Sequence, residues 1–288
     1  MPRRQPIVSS DRLKAWGLLL PALAWTAAFF VLPFLIMGVY SLWKRVGSTV
    51  IKEISLGNYE NFFAKSFLHE SLTNSLEVTF LVTITSIILA YPLAYILAEK
   101  VPERWQRMAL IMAILPFWTS YLVRSYSWLL VLSEGGVISN FLLQIGITED
   151  PISLANSRTA TVIGFVHFFV LLLTLTIFAN LKQLPKNYRK AAADLGAGPI
   201  RTFTYIILPL TLPGIMVGAF LTFVLCIGDY ITPAILGGKR ELLLPQTIML
   251  QIERRSDFPT ASALALILMA VVSMVYLACA RWLKLDRL

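Results

Sequence analysis

Three ionisable residues stand inside long apolar runs of this chain: Glu77, Arg124 and Asp229. A charge at membrane depth is costly, so it faces a cavity or a partner. Two chemistries follow. The three can neutralise one another within a helix bundle, or they can touch a charged solute that crosses it. The other reactive side chains offer less. His69 falls in a connecting segment, and His167 has no acidic or Cys neighbour along its apolar run, which reads as a packed core residue. Cys226 and Cys279 lie in apolar runs without a CxxC or a flanking His, so they carry no metal or redox signature. Gly237-Gly-Lys239 lacks both the upstream Gly and the following Ser/Thr of a nucleotide-binding loop. The chain is therefore expected to hold no catalytic residues, no metal and no cofactor of its own.

The elements that must position these residues are membrane helices. Only 14% of the 288 residues are charged and 57% are hydrophobic, with a mean hydropathy of +0.71. So few charges cannot clothe a soluble surface of this size, and the apolar surplus must face lipid. Six stretches reach the roughly 20 apolar residues a spanning helix needs: about 15–43, 75–98, 108–132, 159–181, 206–236 and 259–283. The expected fold class is an all-α polytopic membrane protein, organised as a single transmembrane domain over 1–288. The first run follows Arg3, Arg4, Arg12 and Lys14, as in a signal peptide. It is too long for a signal core and lacks a small-x-small cleavage site, so it reads as an uncleaved span.

Net charge is +9, but the basic residues lie in short connections between apolar runs, which argues against nucleic acid. They also orient the chain. Segments 1–14, 99–107, 182–205 and 281–288 carry 15 Lys/Arg against five acids, whereas the opposite connections carry nine of each. The positive-inside bias then predicts both termini in the cytoplasm.

The longest polar stretch on that side is Leu184-Pro-Lys-Asn-Tyr-Arg-Lys-Ala-Ala-Ala-Asp-Leu-Gly196. Pro185 suits a first turn, three alanines favour helix, and Gly196 suits a left-handed stop. A second start at Gly198-Pro199 leads into Ile206 and Leu208-Pro209, predicting a short helix, a sharp turn and a helix that re-enters the membrane. Lys190-Ala191-Ala192, Gly196, Ile206 and Leu208-Pro209 keep every spacing of the EAA loop, and the segment resembles that loop in the integral-membrane subunits of ABC importers. One departure is that Lys190 stands where the motif has Glu. Asn58-Tyr-Glu-Asn-Phe62, Tyr91-Pro-Leu-Ala-Tyr95, Leu115-Pro-Phe-Trp-Thr-Ser120 and Leu208-Pro-Leu-Thr-Leu-Pro-Gly214 are similar to the spermidine/putrescine subfamily of these permeases.

The resemblance implies a type I importer permease in a bacterial inner membrane, forming half of a pathway for a small cationic solute such as a polyamine. It implies an ATPase dimer docked on 185–205, with ATP-Mg bound by those subunits rather than by this chain. A second permease subunit and an extracytoplasmic solute-binding protein complete the expected assembly. Lys190, Ala191, Ala192, Asp194, Leu195, Gly196, Ile206 and Pro209 become the expected ATPase-coupling residues. For the solute, Asp229 is the leading candidate, followed by Glu77 and Arg124, with Arg124 neutralised by Glu77 or Asp229, snorkelling to the surface, or contacting an anionic solute. If its span rises unbroken from Met108, Arg124 sits 16 residues along it, about 24 Å. Trp118 and Tyr121 read as cavity lining, and Trp128 as part of an interfacial aromatic belt.

Overall fold

The computed structural model describes residues 10–47, 49–185, 187–238 and 241–283; Arg3, Arg4, Ser48, Lys186, Lys239 and the last five residues lie outside them. Six helical stretches in it are long and apolar enough to cross a membrane. The first is built from α1 (Ser10–Thr26) and α2 (Leu32–Ser41), joined by a π-helical turn at Ala27–Val31. Pro33 stands at the start of α2, where its missing N–H would break a regular ladder, and the wide turn precedes it. A small antiparallel hairpin, β1 (Lys44–Val46) and β2 (Thr49–Ile51), and the short helix α3 (Gly57–Ala64) follow. The side-chain amide of Asn58 donates to the carbonyls of Ser41 and Trp43, both at 2.8 Å, and ties down the end of α2.

The second span, α4 (Ser66–Glu99), is a 34-residue helix. The next region contains α5 (Glu103–Ile114), a 3-10 turn at Leu115–Trp118, α6 (Tyr121–Leu132) and α7 (Val137–Gln144). The fourth span is α8 (Arg158–Gln183). It is followed by α9 (Asn187–Asp194) and α10 (Pro199–Thr202), a second π-helical turn at Phe203–Ile207, and α11 (Leu208–Gly228). Then come α12 (Ile231–Leu236), α13 (Leu244–Glu253) and α14 (Phe258–Leu283).

The core is α4, α8 and α11. Ala90, Ala94 and Ala98 form a small-residue stripe on α4, and they pack with Leu173, Ile177 and Leu181 of α8 in one buried cluster. Small side chains at four-residue spacing let the backbones approach closely, which is how membrane helices gain van der Waals contact without a hydrophobic driving force. On α11, Gly214 and Gly218 serve the same end. A Cβ on Gly218 would come 2.9 Å from the side chain of Leu173, and one on Gly214 would overlap the amide of Asn180. By contrast the first span buries none of its apolar window within this chain, and only its end, where α2 meets α14, is sheltered.

Three expectations need correction. The run 108–132 is not one helix, because Pro116 interrupts the ladder and Thr119 and Ser120 are extended. The 24 Å rise counted for Arg124 therefore does not carry across the break. The run 206–236 ends its helix at Gly228, and Asp229 separates it from α12. Pro199–Gly228 is one helical stretch that runs through the π turn and past Pro213. Finally, the second span does not begin at 75: α4 starts nine residues earlier, and Glu77 lies eleven residues into it.

Candidate functional site

Two places gather the candidate residues. The first is the polar segment between α8 and α11. There α9 ends in a Schellman motif: the amide of Gly196 donates to the carbonyl of Ala193 and that of Ala197 to Ala192, both at 2.9 Å. Gly196 has φ +76°, the left-handed position expected of it, which residues with a Cβ occupy at a cost of about 1 kcal/mol or more. Ala192 is buried, whereas Lys190, Ala191, Asp194 and Leu195 are exposed. Leu195, Ile200 and Tyr205 are 88%, 77% and 79% exposed, Leu195 just before the helical stretch Pro199–Gly228 and the other two in its first turns. Of the two later motif positions, Ile206 is half-buried and Pro209 exposed; the neighbouring Ile207 enters the core.

This segment is fastened to the bundle at two points. Arg189 of α9 forms an ion pair with Glu99 at the end of α4. Phe203, at the start of the π turn, sits edge-on to Tyr91 at 5.6 Å and to Tyr95 at 5.4 Å. Tyr91 in turn shares a hydrogen bond of 3.1 Å with Thr211 of α11. The Tyr91-Pro-Leu-Ala-Tyr95 and Leu208-Pro motifs are thereby brought into one contact, which their separation in sequence does not reveal.

The second place lies where α6, α8 and α12 meet. Asp229 occupies the break after α11, and its side-chain Oδ1 accepts from the amide of Ile231, the first residue of α12, at 2.9 Å. Its Oδ2 accepts from the hydroxyls of Thr232, at 2.8 Å, and Tyr121. Tyr121 thus touches Asp229, whereas Trp118 is 86% exposed and lines a separate hollow with Ile111, Ile114 and Leu115.

Neither acid neutralises Arg124. Glu77 is paired with Arg158 at 2.6 Å, a partner that sequence reasoning did not consider because Arg158 opens α8. Asp229 is engaged by hydroxyls and an amide. Arg124 does not snorkel either, since it is 9% exposed. It lies against the faces of Phe117, Tyr121 and Phe168, at 5.7, 5.9 and 5.2 Å from the ring centres, and donates to the carbonyl of Thr119 at 3.1 Å. The indole N–H of Trp128 donates to Nδ1 of His167 at 2.7 Å. His167, read as a core residue, is half-buried and lines a cavity of about 310 Å³ together with Trp128 and Arg124. Among the described residues no group of three or more His, Cys, Asp or Glu is arranged to hold a metal.

Comparison with known proteins gives these places a context. Residues 78–285 match the family described as "Binding-protein-dependent transport system inner membrane component". The spermidine/putrescine transport system permease protein PotB of Escherichia coli (strain K12) is 31% identical over 264 residues, covering 90% of this chain and 95% of PotB. PotB of Salmonella typhimurium (strain LT2) is 32% identical, covering 88% of each chain. Among solved structures, a bacterial ABC transporter that imports the acidic polysaccharide alginate shares the fold, with a TM-score of 0.78 at 17% identity, covering 95% of this chain and 96% of that one.

Proposed function

The chain belongs to the family of binding-protein-dependent transport system inner membrane components, and on that premise we propose that it is a permease subunit of an ATP-driven importer for a polyamine. The observation that carries the substrate is the near full-length identity of 31–32% with permeases named for spermidine and putrescine. In this reading the chain spans a bacterial inner membrane with both termini cytoplasmic. It forms one half of the pathway, with a second permease subunit as the other half, and an extracytoplasmic solute-binding protein delivers the solute.

An ATPase dimer docks on residues 185–205 and binds ATP-Mg itself. The exposed Leu195, Ile200 and Tyr205 supply apolar contact for it, and Lys190 faces it as a cation in place of the motif's Glu. When the dimer closes, α9 moves as a unit because the Schellman turn fixes its end. The Arg189–Glu99 pair carries that motion to α4, and Phe203 carries it to Tyr91, Tyr95 and the base of α11. At the far end of α11 stands Asp229, whose carboxylate answers the positive charge of an ammonium group. Tyr121 and Thr232 hold that carboxylate in place and can reorient their hydroxyls when a cation arrives.

The test is reconstitution of the chain with its ATPase, second permease and binding protein in proteoliposomes. ATP-dependent uptake of labelled spermidine or putrescine is expected. An assembly that hydrolyses ATP in response to another loaded binding protein, and takes up no polyamine, would overturn the reading.

A further inference from the structure

We propose that the cavity beside Arg124 is a receiving site for a single carboxylate. The inference stands apart from the polyamine reading, because a guanidinium repels an ammonium. It rests on one orphaned cation. Arg124 is more than nine-tenths buried, yet its Nε and Nη1 have no hydrogen-bond partner among the described residues. Only Nη2 is used, on the carbonyl of Thr119. The three aromatic faces around the guanidinium fix its plane but supply no acceptor. A buried charge left this way is strongly destabilising unless an acceptor arrives.

The surroundings select the acceptor. The cavity of about 310 Å³ has largely apolar walls that include Pro116, Val123 and Val131; Arg124, Ser127 and His167 are among its polar lining residues, and no Asp or Glu lines it. His167 adds a second donor. Its Nδ1 accepts from Trp128, so the neutral ring carries its proton on Nε2. Glu77 and Asp229, the two acids weighed as its partners, are both engaged elsewhere. A guanidinium matches a carboxylate in a planar, two-point geometry, and the volume falls at the small end of the roughly 300–1,000 Å³ typical of ligand sites. The carboxylate has two sources: a small diffusible acid, or an Asp or Glu side chain from a membrane helix of the second permease.

The purified full-length chain in lipid nanodiscs separates them. Thermal unfolding is followed against sodium acetate, with sodium chloride at equal ionic strength as the control. A diffusible ligand gives a melting temperature that rises to saturation in the wild type, with half-saturation at least tenfold higher in Arg124→Lys and no saturation in Arg124→Gln. A side-chain ligand gives no acetate response. In that case Arg124→Glu fails to copurify with the second permease, and reversing one acid in that subunit's spans to Lys restores the pair. Arg124→Lys retains the charge and controls for insertion. If acetate does not saturate the wild type, and Arg124→Gln folds and copurifies as well as wild type, the proposal is wrong.

Discussion

Arg189 of α9 and Glu99 at the end of α4 form an ion pair, with side chains 26% and 17% exposed. Among the described residues it is the ion pair that ties the polar segment to the spans. Being half-sheltered, it is less screened than a surface pair. Alanine at either position should lower ATP-coupled uptake. A double-mutant cycle on uptake or thermal stability should give a coupling energy of roughly 0.5–3 kcal/mol. Additive effects would mean the pair transmits nothing.

Gly196, at φ +76°, tests the docking segment differently. Replacement by Asp adds strain of about 1 kcal/mol or more and loosens the turn that ends α9. The chain should still insert, and the assembled complex should hydrolyse ATP while uptake falls. Wild-type uptake by Gly196→Asp would remove the coupling role from 185–205.

Gly218 tests the core. Leucine there should force α11 away from Leu173 and Thr176, an overpacking worth about 1–3 kcal/mol. Gly38, on the first span, meets nothing within 4 Å and should accept leucine with little change in melting temperature. Equal effects at the two sites would contradict the close approach of α8 and α11.

For the solute, Asp229→Asn should cut polyamine uptake while loaded binding protein still docks, and Tyr121→Phe should have a smaller effect of the same sign. Membrane insertion is checked by labelling. If Asp229→Asn transports at the wild-type rate and a folded Arg124→Gln is inactive, the cationic solute is abandoned.

Orientation is tested by single cysteines and an impermeant thiol reagent. A cysteine at Ser153, in an exposed connection, should react from outside, and one at Arg201, in α10, should not. The reverse pattern overturns the sidedness and with it the docking face.

The helices were legible because lipid imposes a minimum apolar length, and the docking segment because its alanines, Gly196 and Gly198-Pro199 are local signals. What the sequence hid is pairwise. Glu77 and Arg158 are 81 residues apart, and nothing in their neighbourhoods marks them as partners. The same holds for Trp128 with His167. The interruption at Pro116 was a different kind of miss. Its proline and the Thr119-Ser120 that follows are breaker signals, outweighed by the unbroken hydropathy of the run. Likewise Asp229 was read as a charge inside a helix when it is the residue that ends one, since a short acid prefers to cap. Gly214 and Gly218 carried a small-xxx-small signal that could have been read for packing.

The π-helical turns ahead of Pro33 and Pro209 uncouple residue count from azimuth. Each holds one more residue than a regular turn, so the helix beyond it is rotated by about 100° for an advance of only about 1.5 Å. The second of these turns, 203–207, stands between Pro199–Thr202 and α11. A one-residue deletion there would restore a regular turn and leave Ile200 on nearly the same side of the helix axis, because the wide turn already holds the extra residue. The segment from Pro199 to Thr202 can therefore keep its aim through a one-residue change in length, without altering any side chain it presents.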